Sequence, residues 1–469
     1  MAQQVFINRT HELRSLEERF QDVRAQLFVL YGRRRVGKTE LLRTFCQGKP
    51  HVYFQAAQVS EPDNLRHFVQ EAAEAIGNDL LARMEFADWE APLQYLAKAA
   101  RARLIVVLDE LPYLCEGNPA LPSLLQRFWD QHGQNSNLML ILCGSSVSFM
   151  EQEVLAQRSP LFGRRTGQLE LLPLGYRDAA GFLPRYSPEQ WVQAYGILGG
   201  MPMYQAQFED RLSLAENVQR RIFDPAALLY NEPEYLLRTE LRNPGTYNSI
   251  LEAIADGLTK HNEIADRIGK PSSAVSPYLA TLERLRLIER VAPLTSRAAG
   301  KRSVGRYFIR DPFLRFWYRF VLPNRSLLEI GERERVWTQR VAPQLDEFLG
   351  LAFEGLCREY VRRHGAETLG VVPSGDVGRF WSRAVEIDVL CRNVDGSHTC
   401  GECKWTRKPV GEGELESLQR KAESLPADWR HDLRFVLFSR GGFTAALQTR
   451  AEGEGVQLIG LDEMYAKGE

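Results

Sequence analysis

The sequence predicts a multidomain α/β protein with a helix-turn-helix segment between its two α/β parts. An apolar run leads into the glycine-rich stretch "YGRRRVGKTELL" (31–42), which continues as a helical pattern. Three short helical patterns follow residue 244, and two strand-like stretches after residue 384 carry acidic residues. A chain of 469 residues has room for roughly two to four domains. We expect three, at residues 1–235, 236–325 and 326–469.

The composition is that of a soluble globular protein. Charged residues make up 25% and hydrophobic residues 44% of the chain, which argues against a disordered or a membrane protein. No stretch approaches the roughly 18 consecutive apolar residues of a membrane span, and the N-terminus lacks the layout of a signal peptide. The seven cysteines are scattered and suggest no disulfide framework. We therefore expect a cytoplasmic protein with reduced cysteines and no membrane partner.

Residues 32–40 form the first candidate site. Gly32, Gly37, Lys38 and Thr39 satisfy the pattern GxxxxGK[ST], and they lie between a strand-like and a helical stretch. Loop amides and a helix N-terminus suit a phosphate, Lys38 suits the β- and γ-phosphate oxygens, and the Thr39 hydroxyl suits a magnesium ion. The alternative is a tight turn with incidental glycines. The pattern predicts that a run of consecutive residues holds the nucleotide: Gly32, Arg33, Arg34, Arg35, Val36, Gly37, Lys38, Thr39 and Glu40.

The stretch "LIVVLDE" (104–110) supplies acidic groups for the same site. Its apolar residues predict a central parallel strand, and Asp109 and Glu110 follow at the end of that strand. We expect Asp109 to bind magnesium and Glu110 to polarise the attacking water. The alternative is an acidic N-cap for the following helix. A further strand, "LMLILCGSS", ends at Ser145, whose side chain is a candidate for sensing the γ-phosphate.

Several segments resemble, in order, the archaeal-type P-loop ATPases, which are relatives of the AAA+ and STAND classes. They are "FINRTHELRSLEERF", the glycine-rich loop, "LDELPYL", "LILCGSS", "SPLFGRRTG" and "LGGMPMY", and they span about the first half of the chain. The resemblance implies a P-loop NTPase parallel sheet with a helical lid, ATP and magnesium as cofactors, and ATP hydrolysis. It also implies that Arg9 lies near the adenine, although Asn8 replaces the family's glycine. Arg164 and Arg165 are, by the same likeness, candidates for a γ-phosphate arginine; a solvated basic turn is the alternative.

The segment after Pro244 predicts a winged helix-turn-helix. Three short amphipathic helices follow one another, and the third begins near Ser272. The next stretch predicts a cationic wing formed by Arg297, Lys301, Arg302, Arg306 and Arg310. We expect the third helix to enter a DNA major groove while the wing binds phosphates. The alternative is a protein-docking or packing unit, because Glu283 and Glu289 place negative charge near the contact face; the net charge of −1 decides nothing, since nucleic acid is bound by a local patch.

An aromatic segment, "YFIRDPFLRFWYRFV" (307–321), follows the wing. Its helical spacing favours core packing over base stacking. The segment also resembles the region that follows the winged helix in the same ATPase family.

The C-terminal part contains a second candidate site. "VEIDVLCR" and "HTCGECKW" predict two strands joined by the turn "NVDG". Residues two apart share a strand face, so Glu402 and Lys404 project together and the hairpin places Asp388 alongside. Two carboxylates can hold magnesium, and the lysine can position a water or stabilise the charge of a phosphorane. This chemistry suits phosphodiester hydrolysis.

The same residues resemble the PD-(D/E)xK nuclease superfamily. The resemblance implies a restriction-endonuclease-like α/β domain with a second activity as a magnesium-dependent DNA endonuclease. It places Glu354, in the helix "DEFLGLAFEGLCREYVRR", as an additional metal ligand, with Glu386 and Gln419 as weaker candidates. The alternative is an ordinary exposed hairpin with a Glu/Lys pair. The nearby C-x-x-C pair is expected to be strand thiols rather than a zinc or redox site.

Two functions follow from these patterns. The first is a magnesium-dependent ATPase that couples its nucleotide state to DNA binding and to DNA cleavage by the C-terminal part. The second is a regulatory or signalling ATPase with a non-catalytic nuclease-like tail, in which the winged helix docks a protein. A homo-oligomer or a protein partner is compatible with both.

Overall fold

A computed structural model describes residues 6–241, 243–298 and 305–466, without the side chains of residues 297 and 298. The chain divides into two compact units. The N-terminal unit is Met1–Leu174 with Met201–Met203, and the C-terminal unit is Gly175–Gly200 with Tyr204–Glu469. Within the described ranges, no helix is both long enough and apolar enough to cross a membrane.

The N-terminal unit is built on a parallel sheet. Its strands are β1 (Gln26–Tyr31), β2 (His51–Gln55), β3 (Leu104–Asp109), β4 (Leu138–Gly144) and β5 (Gly167–Glu170). They lie in the order β2-β3-β4-β1-β5, and each neighbouring pair is parallel. β1, β3 and β4 are buried along their whole length, which is why their sequences are continuous apolar runs. The prediction of a parallel sheet is confirmed.

Helices connect these strands. They are α1 (Thr10–Gln21), α2 (Lys38–Cys46), α3 (Glu61–Ile76), α4 (Asp79–Ala82), α5 (Glu90–Ala99), α6 (Leu111–Gly117), α7 (Leu121–Gln131) and α8 (Val147–Phe149), with a 3₁₀ turn at Gly133–Asn135 and a π turn at Met150–Leu155. The core between β2, α3 and α5 contains Phe54, Phe68 and Trp89, whose ring centroids lie 5.3–5.9 Å apart. The loop of residues 32–37 joins β1 directly to α2, so the end of a buried strand and the start of a helix fix its position.

The C-terminal unit begins with a helical region. Its helices are α9 (Tyr176–Ala179), α10 (Pro188–Leu198), α11 (Pro202–Gln205, which begins in residues of the N-terminal unit), α12 (Leu214–Arg221) and α13 (Glu232–Glu240). A 3₁₀ turn lies at Ala180–Phe182. Side-chain capping boxes begin α10 at Ser187 and α12 at Ser213, which satisfies backbone N–H groups in each first turn.

The winged helix-turn-helix follows. It comprises α14 (Gly245–Ala255), α15 (His261–Arg267), α16 (Ser272–Arg284), β6 (Ile288–Val291), α17 (Leu294–Ala298) and β7 (Arg306–Ile309). β6 and β7 pair antiparallel, and the predicted third helix begins at Ser272. The predicted hairpin contains a short helix, α17, between its strands. Of the predicted wing cations, Lys301 and Arg302 lie outside the described residues.

The aromatic segment packs into the core of this unit. It forms α18 (Pro312–Phe316) and a π turn at Trp317–Val321. Phe313, Phe316 and Trp317 are fully buried, and the indole Nε1 of Trp317 donates a hydrogen bond of 2.6 Å to the carbonyl of Tyr230. The prediction of core packing is confirmed.

The chain ends in a mixed sheet covered by helices. The remaining elements are α19 (Arg325–Glu329), α20 (Arg333–Val336), α21 (Leu345–Thr368), β8 (Gly378–Trp381), β9 (Glu386–Arg392), β10 (His398–Lys404), α22 (Glu412–Ala422), β11 (Leu433–Ser439), α23 (Ala445–Glu454), β12 (Gln457–Ile459) and α24 (Leu461–Tyr465), with short turns at Leu322–Asn324, Trp337–Val341, Ala342–Gln344 and Ala427–Trp429. The strand order is β12-β11-β10-β9-β8, antiparallel from β8 to β10 and parallel from β10 to β12.

Helices α21 and α22 belong to different apolar cores of this sheet. Phe353 of α21 packs with Val389 and Phe438, whereas Leu418 of α22 packs with Cys400 in a second cluster. The hairpin β9–β10 has the predicted antiparallel pairing. The predicted C-terminal α/β architecture, with this hairpin at its centre, is therefore confirmed.

Candidate functional site

The glycine-rich loop needs its glycines. Gly37 has φ +96°, a left-handed conformation that an L-residue with a side chain rarely adopts. A Cβ added to Gly32 would collide with the carbonyl oxygen of Leu171. These constraints argue against a turn with incidental glycines. They also leave the first amides of α2 at the end of the loop, where backbone N–H groups have no partner inside the helix.

Lys38 is buried beside this loop. Its side chain is 6% exposed, and its Nζ donates hydrogen bonds to the carbonyl oxygens of Gly32 (2.9 Å) and Arg33 (3.1 Å). Burial lowers the pKa of Lys38, while the nearby Cys143, Glu110 and Asp109 act in the opposite direction. A buried ammonium that donates to neutral carbonyl oxygens suits a site that receives phosphate oxygens.

Asp109, at the end of β3, accepts hydrogen bonds from three donors. Its Oδ2 accepts hydrogen bonds from Thr39 Oγ1 (3.0 Å) and Tyr53 Oη (2.7 Å), and its Oδ1 accepts from the backbone N–H of Glu110 (3.0 Å). Asp109 is 1% exposed. The predicted pair Thr39 and Asp109 is therefore brought together, and its hydroxyl and carboxylate oxygens are the ligand types that magnesium prefers.

Tyr53 is a member of this cluster that the sequence patterns did not indicate. It lies on β2, which pairs in parallel with β3, so its hydroxyl reaches Asp109 from the neighbouring strand. Burial and the adjacent Asp109 raise the pKa of Tyr53, which keeps the hydroxyl protonated as a donor. The sequence signal that could have identified Tyr53 was a tyrosine near the carboxyl end of a strand that neighbours the strand ending in Asp109.

Glu110 and Ser145 form a second pair at the same edge. Glu110 has φ +58°, and its Oε2 accepts hydrogen bonds from Ser145 Oγ (2.7 Å) and from the Ser145 backbone N–H (3.3 Å). Glu110 occupies the N-cap position of α6, yet its side chain makes no capping hydrogen bond. The carboxylate is thus directed to the end of β4 rather than to the helix.

The predicted arginines divide into two groups. Arg9 donates from Nη2 to the carbonyl oxygen of Val36 (3.1 Å), and Arg34 donates from Nη2 to the hydroxyl of Tyr113 (2.7 Å). Arg35 Nη1 lies 3.8 Å from Met203 Sδ. Arg164 forms an ion pair with Asp130 at 2.7 Å, and Arg165 Nη1 donates to the Leu155 carbonyl at 2.9 Å. Arg9 therefore touches the loop directly, whereas Arg164 and Arg165 are engaged with other groups. Val36 is fully buried, and Glu40 lies in the first turn of α2.

The second site forms where β9 and β10 pair. Asp388 Oδ2 accepts a hydrogen bond of 2.9 Å from the backbone N–H of Cys403, and Lys404 Nζ donates to Glu402 Oε1 at 3.0 Å. Glu402 is 5% exposed. Because Cys400 lies in the core facing α22, Glu402, two residues later, shares that face. The structure brings Asp388, Glu402 and Lys404 together as the sequence predicts.

Lys421 joins this site from α22. Its Nζ donates to both carboxylate oxygens of Glu402, at 2.7 and 2.8 Å. The sequence indicated Gln419 in this helix, but the Gln419 side chain donates to Glu454 at 3.0 Å instead. Lys404 also pairs with Glu414 at 3.1 Å. Glu402 is therefore neutralised by two ammonium groups.

Glu354 lies on α21 near the same carboxylates. Its Oε2 is 3.5 Å from Arg358 and 3.6 Å from Arg379, and Arg379 is also 3.8 Å from Glu386. Burial, followed by the charges of Glu354 and Glu402, raises the pKa of Asp388 to about 7. The charges of Glu354 and Glu402 thus disfavour ionisation of Asp388, and a cation bound beside Asp388 would favour it.

These oxygen ligands suit magnesium in type, because carboxylates are the hard ligands it prefers. They are not arranged as a closed cage, since among the described residues no group of three or more His, Cys, Asp or Glu side chains is placed to hold a metal ion. The carboxylates open instead on a cleft of about 480 Å³. Its walls come from the winged helix, α21, the sheet and α22: Gly257, Thr259, Arg306, Phe308, Leu351, Glu354, Arg379, Glu386, Asp388, Glu402 and Lys421.

Comparisons with protein families agree with the fold. The family described as "ATPase domain predominantly from Archaea" matches residues 6–208. The IclR helix-turn-helix domain matches residues 249–292, and a family described as "Archaea bacterial proteins of unknown function" matches residues 317–419. The matched regions cover the parallel sheet, the helix-turn-helix and a segment that includes Glu354, Asp388, Glu402 and Lys404 and ends before Lys421.

One relative extends over most of the chain, and a second matches a short part of it. An uncharacterized protein of Methanocaldococcus jannaschii is 33% identical over 419 residues, which are 89% of this chain and 90% of that protein. An uncharacterized ATP-binding protein of the same organism is 49% identical over 45 residues, which are 10% of this chain and 76% of that protein. Among solved structures, a Walker-type ATPase of Pyrococcus abyssi aligns with a TM-score of 0.51 and 23% identity over 67% of this chain and 96% of its own. At that identity the likeness is one of fold.

Proposed function

Because this chain belongs to the archaeal-type P-loop ATPases, we propose that it hydrolyses ATP with magnesium and couples its nucleotide state to DNA binding and cleavage. The observation that carries the ATPase part is the convergence of Lys38, Thr39 and Asp109 at the carboxyl edge of a parallel sheet. In open parallel sheets this edge is where nucleotides bind.

Different groups of the chain have different roles at the phosphate loop. Backbone N–H groups of the loop and of the α2 N-terminus bind phosphate oxygens, and Lys38 exchanges its carbonyl partners for the β- and γ-oxygens. Thr39 and Asp109 would hold magnesium, which when bound neutralises charge on the phosphates. Glu110 orients and polarises the attacking water. Tyr53 fixes the carboxylate of Asp109 by its hydrogen bond.

DNA binding is assigned to the winged helix. The N-terminal half of α16 presents Ser272, Ser273 and Ser276 as exposed residues, while Val275 and Leu279 hold the helix in the core. Serine side chains bind both phosphates and base edges. The exposed Arg310, at the end of β7, adds positive charge on the wing side.

DNA cleavage is assigned to the cleft at Asp388, Glu402 and Lys404. A water oxygen would form a bond to phosphorus while a phosphorus–oxygen bond of the backbone breaks, and the leaving oxygen would take up a proton, which yields a phosphate monoester and a hydroxyl. Asp388 and Glu402 would hold magnesium, which supplies Lewis-acid stabilisation of the phosphoryl charge when bound. Lys404 donates a proton or a hydrogen bond to the reacting oxygens.

The ATPase part is tested by phosphate release from ATP with magnesium. Lys38→Ala is expected to lower kcat by at least about 100-fold, because it removes the cation at the β- and γ-oxygens. Lys408→Ala, at an exposed position of the other unit, is the matched control. Hydrolysis by Lys38→Ala at the wild-type rate would contradict the assignment.

The DNA part is tested with supercoiled plasmid and with a labelled duplex. Asp388→Asn and Lys404→Met are expected to abolish magnesium-dependent nicking while ATP hydrolysis persists; Asp428→Asn, at an exposed position, is the control. A salt titration of duplex binding with and without ATP accompanies these assays, because phosphate contacts give a linear loss of log affinity with log salt. The regulatory alternative is favoured if wild-type protein neither cuts nor binds DNA while it still hydrolyses ATP.

A further inference from the structure

The nuclease-like cleft continues into a second cavity. This cavity has a volume of about 290 Å³ and is lined by the end of α14, by β7, by the aromatic segment and by α21. Gly257, Thr259, Phe308 and Leu351 line both spaces. The carboxylates of the cleft and the interior of the second cavity therefore adjoin along α21.

Arg315 and Arg319 are cations that line the second cavity, and Arg319 pairs with Asp256 at 3.3 Å. One of the terminal nitrogens of Arg315 donates a hydrogen bond of 3.3 Å to the carbonyl of Phe348, and the Arg315 guanidinium lies 4.4 Å from the centroid of the Phe348 ring. Its Nε is buried and has no hydrogen-bond partner among the described residues. Burial lowers the pKa of Arg315 to about 10, with Glu354 and Arg379 of the cleft as the charges that act on it. A guanidinium at this pKa stays charged near neutral pH, and its buried N–H calls for an acceptor.

Two more arginines, along the cleft, lie against aromatic rings. The guanidinium of Arg379 lies 4.9 Å from the Phe308 ring centroid, and that of Arg306 lies 4.9 Å from the Trp381 ring centroid. With the pair in the second cavity there are three such arginines, Arg315, Arg379 and Arg306, here called the row; Arg379 also lies 3.6 Å from Glu354 and 3.8 Å from Glu386. Guanidinium planes accept stacked bases and bind phosphates, and this combination is the usual surface for single-stranded nucleic acid.

The cleft is too small to enclose a duplex. Its volume of about 480 Å³ equals that of a cube with an edge of about 8 Å, whereas the major groove alone of B-DNA is about 12 Å wide. Arg306 and Phe308 of the wing strand form one wall of the cleft. A flexible single strand can enter such a space one nucleotide at a time.

We propose that this row binds single-stranded DNA, with one phosphate beside Asp388 and Glu402 and the adjoining nucleotide against Arg315. The proposal rests on the proposed nuclease-like function and names its substrate class. Double-stranded DNA binds the winged helix and enters the cleft only where its strands are separated.

The test is fluorescence anisotropy of the full chain in EDTA, with a labelled 12-nucleotide single strand and the duplex of the same sequence. Binding of the single strand is expected to depend on the row, whereas binding of the duplex to the winged helix is not. Arg315→Gln and Arg379→Gln should each weaken single-strand binding about tenfold, because each removes one charged contact worth roughly that factor. Arg392→Gln, at the end of strand β9 next to β8, the strand of Arg379, but exposed and paired with Asp428, is the control and should bind as wild type.

A second measurement guards against misfolded variants. In the wild-type protein, a single strand with one photoreactive thymine should cross-link to peptides that contain Phe308 or Phe348, as identified by mass spectrometry. Single-strand binding that both variants leave at wild-type affinity, or cross-links confined to α16, overturns the inference and leaves the proposed function intact. Binding of neither DNA overturns both.

Discussion

Lys421 is expected to stabilise the centre of the nuclease-like sheet. Its Nζ lies 2.7 Å from Glu402 Oε1, and the two side chains are 25% and 7% exposed. Removing one partner of a buried ion pair costs roughly 3–5 kcal/mol. Glu402 would, however, keep Lys404 at 3.0 Å, and Lys421 is partly hydrated. We therefore expect Lys421→Met to lower the free energy of opening β10 by about 1–3 kcal/mol.

Hydrogen exchange on the full chain measures this quantity, because each amide reports its own opening free energy. A loss of about 1–3 kcal/mol corresponds to exchange about 5 to 150 times faster at the amides of β10 and of its neighbour β9. Lys408→Met, at an exposed position, should leave these amides unchanged. The double variant with Glu402→Gln should cost less than the sum of the single changes, because the two side chains interact. Unchanged exchange in Lys421→Met, or strict additivity, would refute the reasoning.

Further predictions concern the phosphate loop. Gly32→Ala should lower the melting temperature and abolish binding of a fluorescent ATP analogue, because its Cβ would meet the Leu171 carbonyl; binding at wild-type affinity would show that the loop tolerates the change. Tyr53→Phe removes a hydrogen bond to the buried Asp109 carboxylate and should speed amide exchange in β2 and β3 by an amount equal to about 1.5–3 kcal/mol; exchange as in wild type would show that the bond contributes nothing. Lys38→Met should still fold, as judged by circular dichroism, but should lose ATP binding in isothermal titration; retained affinity would remove Lys38 from the site.

The sequence predicted most of the architecture because the relevant signals are local. Buried parallel strands read as continuous apolar runs, and β3 and β4 are buried from end to end, with Asp109 as the last residue of β3. The hairpin of β9 and β10 could be predicted because alternation sets which residues share a face. The relation of Asp388 to Glu402 and Lys404 therefore followed from spacing alone.

The missed residues depend on packing between elements. Leu415, Leu418 and Ala422 define the buried face of α22, and Gln419 and Lys421 flank opposite edges of that face, because positions two apart on a helix are separated by about 200°. Which edge meets the carboxylates depends on how the helix crosses the sheet, and periodicity does not encode that direction. Tyr53 was missed for the same reason, since its partner lies on another strand.

The lysines of the two sites donate to different kinds of acceptor. This difference separates the residues expected to bind the substrate from those expected to act in the reaction. Lys38 donates to neutral carbonyl oxygens, so exchanging them for charged phosphate oxygens strengthens its hydrogen bonds. Lys404 and Lys421 already bind the Glu402 carboxylate, so they gain little by moving to a phosphodiester. If a DNA strand binds in the cleft as proposed, its affinity must then come from arginines such as Arg315. Substitution of Lys404 should accordingly lower the rate of cleavage without weakening strand binding, whereas substitution of Arg315 should weaken binding first.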